Sequence, residues 1–247
     1  MTAPIRSHPV FGEHYASVAE RAGYTRVLFD ATACHYDRID RIFSFGSGGW
    51  YRRRALRRSG LRPGMRVLDV AVGSGLVARA ALQITGDQAA VVGLDTSQNM
   101  LTQTQRALQI PLIRANAENL PVADASVDFV SMGYALRHMS DLSTTFQEFL
   151  RVLRPGGVLL LLEIARPDSG PMHSLSGWYL GRFVPFACRW LMPRTSSAVL
   201  MRYFWRTIEH CVPTSVILDE LAACGFVDVG CQTDLDAFRA YRARKPG

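Results

Sequence analysis

The chain has 247 residues, 48% of them hydrophobic, and a formal net charge of +7. That length and apolar fraction support one well-buried core with room for a cap, and they exclude a disordered chain. Five scattered cysteines (Cys34, Cys188, Cys211, Cys224 and Cys231) make no Cys-x-x-Cys pair, which argues against a disulfide framework and against a structural zinc site, so no metal is expected.

Residues 1–58 read as two or three helices, a helical cap on a main domain of 59–247. Their start has no apolar stretch of the signal-peptide kind, and nowhere is there an apolar run long enough for a bilayer, so the expected location is cytoplasmic. The run "YRRRALRR" gathers Arg52, Arg53, Arg54, Arg57 and Arg58. Such a face can touch anionic lipid, so Arg52–Arg58 is the candidate for peripheral contact with a membrane surface. No motif of a nucleic-acid-binding fold accompanies it, and no nucleic-acid partner is expected.

From residue 62 apolar runs alternate with helical stretches. "MRVLDVAV" is a strand, "LVARAALQI" a helix, "AAVVGLD" a strand, and "SQNMLTQTQRAL" a helix with Ser97 as its N-cap. "PLIRAN" and "VDFVSMGYA" are strands. "DLSTTFQEFLRVL" is a helix ended by the Pro-Gly-Gly of 155–157, and "GVLLLLEIA" is a buried strand. This rhythm predicts βαβ units on a parallel sheet. Residues 166–212 break it: the segment is aromatic and too long for a plain connection, and reads as a helical insertion. "TSVILDELAACGF" is again a helix, with Thr214 or Ser215 as cap and Gly225 as stop. "VDVGCQTD" and "AFRAYRARK" are expected to form a final hairpin.

Chemistry enters with "VLDVAVGSGLVAR", a strand, a glycine turn and a helix start. Gly73 and Gly75 allow a tight turn and close approach of a ligand to backbone N–H groups at the helix N-terminus. Gly-x-Gly-x-x-Ala alone fits a dinucleotide or S-adenosylmethionine (SAM). Asp69, before the turn, suits a cofactor with an ammonium group better than one with a pyrophosphate. Asp95 ends the next strand and can accept from ribose hydroxyls. "ANAENLP" follows the third strand, where Asn116 or Glu118 could meet an adenine amino group.

Together with "FDATACHYDRIDRIFSFGSGGWYRR", "GLDTSQNML", "ALRHMSDL", "EFLRVLRPGGVLLLLEIARP" and "RYFWRTIEHCVPTSVILDELAACGF", these segments resemble the class I SAM-dependent methyltransferases, and within them the UbiE-type C-methyltransferases of ubiquinone and menaquinone biosynthesis. The resemblance implies an α/β fold: a Rossmann-like class I methyltransferase sheet, mostly parallel with an antiparallel C-terminal hairpin, a helical N-terminal cap and an aromatic helical insertion. It implies SAM as cofactor and a small-molecule substrate. Asp69, Gly73 and Gly75 would line the methionine end, Asp95 would hold the ribose, and Asn116, Ala117 and Met100 would lie by the adenine. Gly133 takes a further cofactor position, and Ala71, Thr96 and Tyr134 complete the expected set. Tyr36, of the "YD" signature, would close over the cofactor, and Arg137 would help deprotonate a quinol-like ring. The sequence departs from the family at His138, where asparagine is usual, at Leu76, usually acidic, and at "TDLDAFRAY".

Arginine stays protonated and is a poor base, while histidine titrates near neutrality. Arg137 with His138 therefore reads as a cation beside a base, or as a structural loop pair meeting Glu163 or Asp141. The insertion offers Trp178, Tyr179, Tyr203 and Trp205 as a substrate pocket. The expected function is methyl transfer to a quinol-like or other aromatic molecule. The alternative is a SAM-consuming enzyme without an outside acceptor, whose cofactor amine attacks the carbon beside its own sulfonium to give a small cyclic amino acid and methylthioadenosine.

Overall fold

In a computed structural model the chain is described over residues 17–44, 46–165, 195–234 and 236–247, with Trp178, Arg182, Phe183 and Phe186 between them. Three helices come first: α1 (Val18–Thr32), α2 (Tyr36–Phe43) and α3 (Gly48–Arg58). There follow β1 (Val67–Val70), α4 (Leu76–Thr85), β2 (Val91–Asp95), α5 (Gln98–Ala107), β3 (Leu112–Arg114), β4 (Val127–Gly133), α6 (Leu142–Val152) and β5 (Leu153–Ile164). The described chain closes with α7 (Thr195–Glu209), α8 (Thr214–Ala223), β6 (Val227–Asp234) and β7 (Phe238–Arg244).

The strands form one sheet in the order β3-β2-β1-β4-β5-β7-β6. β1 pairs in parallel with β2 and β4, and β4 with β5, whereas β7 runs antiparallel to β5 and β6. All four residues of β1 are buried, as are the last eight of β5, which is why these strands read as unbroken apolar runs covered on both faces. Phe146 and Phe149 of α6 and Ile217 and Leu221 of α8 pack into one core cluster, and Leu56 of α3 with Ala78 and Ala81 of α4 into another. Strand order reverses at β1, so the carboxyl ends of β1 and β4 flank a crevice, the place where open α/β sheets hold ligands.

Two expected boundaries move. α6 stops at Val152, before the Pro-Gly-Gly, because Leu153 is already extended (φ −68°, ψ 140°) and Pro155 disfavours a helical residue before it. The Pro-Gly-Gly instead lies at the start of β5, where the pairing with β4 shifts register between Val127 and Phe129. α8 begins at Thr214, so its N-cap position is Pro213, which gives no side-chain cap; the Thr214 hydroxyl is spent on Arg239 and Tyr241 of β7. Ser97 caps α5 as expected, accepting from the Met100 N–H at 3.1 Å.

α1 is tied across the crevice. Asp30 accepts from the Ser97 hydroxyl at 2.5 Å and the Asn99 N–H at 3.2 Å, and buried Arg21 donates to the Met139 carbonyl at 2.9 Å. Leu28 and Ile39 share a third cluster with Leu200, Met201, Tyr203 and Phe204 of α7. Among the described residues no helix is long and apolar enough to cross a membrane.

Candidate active site

A cavity of about 110 Å³ opens where β1, β2 and β4 end. The β1–α4 turn contributes Ala71 and Gly73, the end of β2 Asp95 and Thr96, and α5 Met100. Asn116 lines it from the loop after β3, Gly133 from the end of β4 and Tyr134 just beyond it, and Thr25, Arg26 and Phe29 cover it from α1. The α1 residues carry no motif, and sequence reasoning missed them.

The carboxylate of Asp95 is fixed by backbone donors: Oδ2 accepts from Gly73 N and Oδ1 from Ser97 N, both at 2.8 Å. Burial raises its pKa, and those N–H groups oppose the shift. Ala71 (φ 55°) and Tyr134 (φ 60°) adopt the left-handed region, uncommon for side chains larger than glycine and found at ligand sites. Gly133 is required for closeness rather than conformation, since a Cβ there would meet Val77 Cγ2 at 2.6 Å. Glu118 is turned to structure: its Oε1 accepts from the N–H groups of Ser140 (2.7 Å) and Asp141 (3.2 Å).

Three expected cofactor residues are not in this wall. Ala117 is core, at 4% exposure. Gly75 faces α5, where a Cβ would meet Leu108 Cδ1 at 2.9 Å. Asp69 lies buried beneath the turn, with Oδ1 accepting from the Ser131 hydroxyl at 2.7 Å. Burial pushes the Asp69 carboxyl up to about 7, with the Ser131 hydroxyl and the Ala78 N–H offsetting part of the rise. A buried carboxyl below a glycine turn, with a second, fixed carboxylate at the next strand end, suits a cofactor that brings an ammonium group and ribose hydroxyls. These residues fit SAM.

A second cavity, of about 320 Å³, adjoins the first, and Tyr36 and Tyr134 line both. Asp40, Trp50 and Arg52 form its wall on α2 and α3, Ile164 ends β5 into it, Phe204 and Ile208 come from α7, and Asp234 and Phe238 from the β6–β7 hairpin. Burial pushes the Tyr36 hydroxyl up to about 12; Asp40 adds to the rise, and Arg137 and Arg52 oppose it.

Arg137 lines this second cavity from a 3-10 turn, Leu136–His138. The β4–β5 register, Gly133 opposite Leu162, brings Glu163 beside it. Arg137 Nη1 donates to Glu163 Oε2 at 2.5 Å, its backbone N–H to Oε1 at 3.3 Å, and its Nε to the Thr207 hydroxyl at 3.1 Å. The guanidinium also lies 5.4 Å from the centre of the Phe204 ring. Burial alone would lower the Arg137 pKa, but Glu163 more than restores it, so the cation is held. His138 turns the other way, into the cofactor-side cavity, with Nδ1 3.0 Å from the Tyr203 hydroxyl and its ring stacked on Tyr203 at 5.3 Å.

The expected aromatic pocket is corrected. Phe204 and Ile208, one helical turn apart, share the face of α7 that meets the cavity, whereas Tyr203 points to α1, its ring 5.6 Å from Tyr24. Tyr203 and Trp205 do not line either cavity, and Trp178 is 54% exposed and stacked on Phe183. Tyr179 lies outside the described residues. The basic run also divides: Arg54, Arg57 and Arg58 are exposed, but Arg52 is buried and paired with Asp40, so it cannot belong to a surface patch.

The mostly parallel sheet, the strand-end carboxylates and the glycine turn define a Rossmann-like SAM-dependent methyltransferase acting on a small molecule. The sequence model of the ubiE/COQ5 methyltransferase family matches residues 17–233. The chain is 33% identical over 174 residues to the demethylmenaquinone methyltransferase of Desulfitobacterium hafniense, covering 67% of this chain and 68% of that one. It is 35% identical over 166 residues to the ubiquinone/menaquinone biosynthesis C-methyltransferase UbiE of Hahella chejuensis, covering 64% and 67%. The chain belongs to the ubiE/COQ5 methyltransferase family. Among solved structures, a SAM-dependent methyltransferase of Aquifex aeolicus superimposes with a TM-score of 0.56 at 18% identity, over 78% of this chain and 88% of that one. The [4+2]-cyclase SpnF superimposes at 0.57 with 19% identity, over 80% of each chain. These two likenesses concern the fold alone.

Proposed function

We propose that the protein methylates a quinol-like or other aromatic small molecule bound in the larger cavity. The observation that carries this reading is the shared wall: the two cavities meet at Tyr36 and Tyr134. Asp69 balances the ammonium group of the cofactor from beneath the glycine turn rather than from the cavity wall, Asp95 meets the ribose hydroxyls, and Asn116 and Met100 border the adenine. SAM supplies an electrophilic methyl group on a sulfonium. The chain aligns an acceptor atom with that group, which is the larger part of such catalysis. Apolar walls from Ile164, Phe204 and Phe238 suit a flat ring. Arg137, held protonated by Glu163, stabilises a ring oxygen that has lost its proton rather than removing the proton itself. His138 lies on the cofactor side and acts as a neighbour of the reacting centre, not as its base. The names of the family relatives support a quinone precursor as the acceptor class.

Intramolecular cyclisation of SAM needs no acceptor chamber, and the presence of one favours transfer to an outside molecule. The test is incubation with SAM, alone and with a panel of quinols and phenols, followed by mass spectrometry. S-adenosylhomocysteine and a methylated ring are expected only with the panel. Methylthioadenosine formed from SAM alone would overturn the proposal.

A further inference from the structure

Arg52 is unusual among the arginines of α3. Its side chain is 4% exposed, whereas Arg54 lies out over the Trp50 ring. Nη1 donates to Asp40 Oδ2 at 3.2 Å and Nη2 to Asp40 Oδ1 in a two-point pair. The guanidinium carbon lies 5.3 Å from the centre of the Tyr134 ring, on the wall common to both cavities. Gly48 leaves room for this placement: a Cβ there would meet Arg52 Nη1 at 2.7 Å. Two nitrogens and the plane of the group are thus fixed, while Nε is buried with no hydrogen-bond partner among the described residues. A buried donor left unmade is costly, more so on a cation. Arg137 differs, because its Nε already serves Thr207.

We propose that Arg52 binds the acceptor in the larger cavity, beside the Tyr134 ring, with its Nε–H donating to an ionised ring oxygen, a phenolate or enolate. This rests on the aromatic-acceptor reading above and adds to it a residue and a charge state. A carbon nucleophile on a hydroxylated ring needs that oxygen ionised, and a fixed cation of known orientation selects the ionised form. Asp40 holds the guanidinium in place and is a positioning residue.

The probe is 4-nitrophenol, added to the protein saturated with S-adenosylhomocysteine, with phenolate absorbance followed against pH. In the wild type the ionisation midpoint of the bound probe falls below that of the free probe. Arg52→Gln reduces this fall, leaving only the part owed to Arg137, and weakens phenolate binding roughly tenfold, with S-adenosylhomocysteine affinity unchanged. Arg52→Lys restores part of the shift. Gly48→Ala, which displaces the guanidinium without removing it, reduces the shift and decides the matter if Arg52→Gln does not fold. An unshifted midpoint in the wild type, or an equal shift in Arg52→Gln, overturns the assignment of Arg52 while leaving the ring-acceptor reading intact. No binding of the phenol, with methyl transfer to an amine panel instead, overturns both.

Discussion

The cofactor-side cavity stands on strand ends, held by sheet register and by backbone N–H groups such as those of Gly73 and Ser97 on Asp95. The cavity proposed for the acceptor is gathered from α2, α3, α7, the end of β5 and the β6–β7 hairpin, and its two buried arginines are held in pairs: Arg52 with Asp40, Arg137 with Glu163. A site of the first kind tolerates change in its surroundings, because the backbone defines it. A site of the second kind depends on each partner, since removing one leaves a buried charge.

The sharpest way to break the contrast is Glu163→Gln. Glu163 is fully buried, and the substitution leaves the Arg137 cation uncompensated, so a loss of about 3–5 kcal/mol is expected in urea unfolding. A loss below 1 kcal/mol would mean that Arg137 finds another counter-charge and that the acceptor side is more adaptable than described.

Asp69 tests the cofactor side. Its folded pKa, about 7, exceeds its ordinary 3.8, so the fold favours the protonated form. Its contribution to the stability of the cofactor-free protein is therefore best in acid and falls as pH rises from about 4 to about 7. SAM binding runs the opposite way, because only the carboxylate pairs with an ammonium. Affinity by calorimetry should drop about tenfold per pH unit below about 7. Asp69→Asn should flatten both dependences and weaken SAM roughly ten- to a hundredfold. A pH-independent wild-type affinity would remove Asp69 from the ammonium site.

The smallest effect is expected at the border. His138→Asn loses the contact with the Tyr203 hydroxyl, at a cost of about 1 kcal/mol in stability. The pH profile of turnover should keep its shape. Loss of a limb near neutrality would make His138 the base after all.

The same division governs what can be read from the sequence. The sheet, the hairpin and most of the cofactor wall follow from contiguous runs, because "VLDVAVGSG" and "VVGLD" place their residues by local geometry. The acceptor wall does not, because Arg52, Phe204 and Asp234 are brought together only by tertiary packing. Arg52 is hidden within an arginine run in which Arg54, Arg57 and Arg58 are exposed and Arg53 is half-buried, and burial is not written in composition. The choice of Phe204 over Tyr203 turns on the rotation of α7 about its own axis, which a segment aromatic on several faces leaves open.

Tyr134 gives the arrangement one more property. Its backbone is left-handed, and its N–H donates to the Leu162 carbonyl at 2.7 Å, so the partition between the two cavities is fastened to the carboxyl ends of β4 and β5. A partition built this way acts as a fixed spacer. On the proposed reading, reactants of different bulk can fill the outer chamber, yet the separation across which a methyl group would pass is measured by the end of β4 and not by the molecule that arrives.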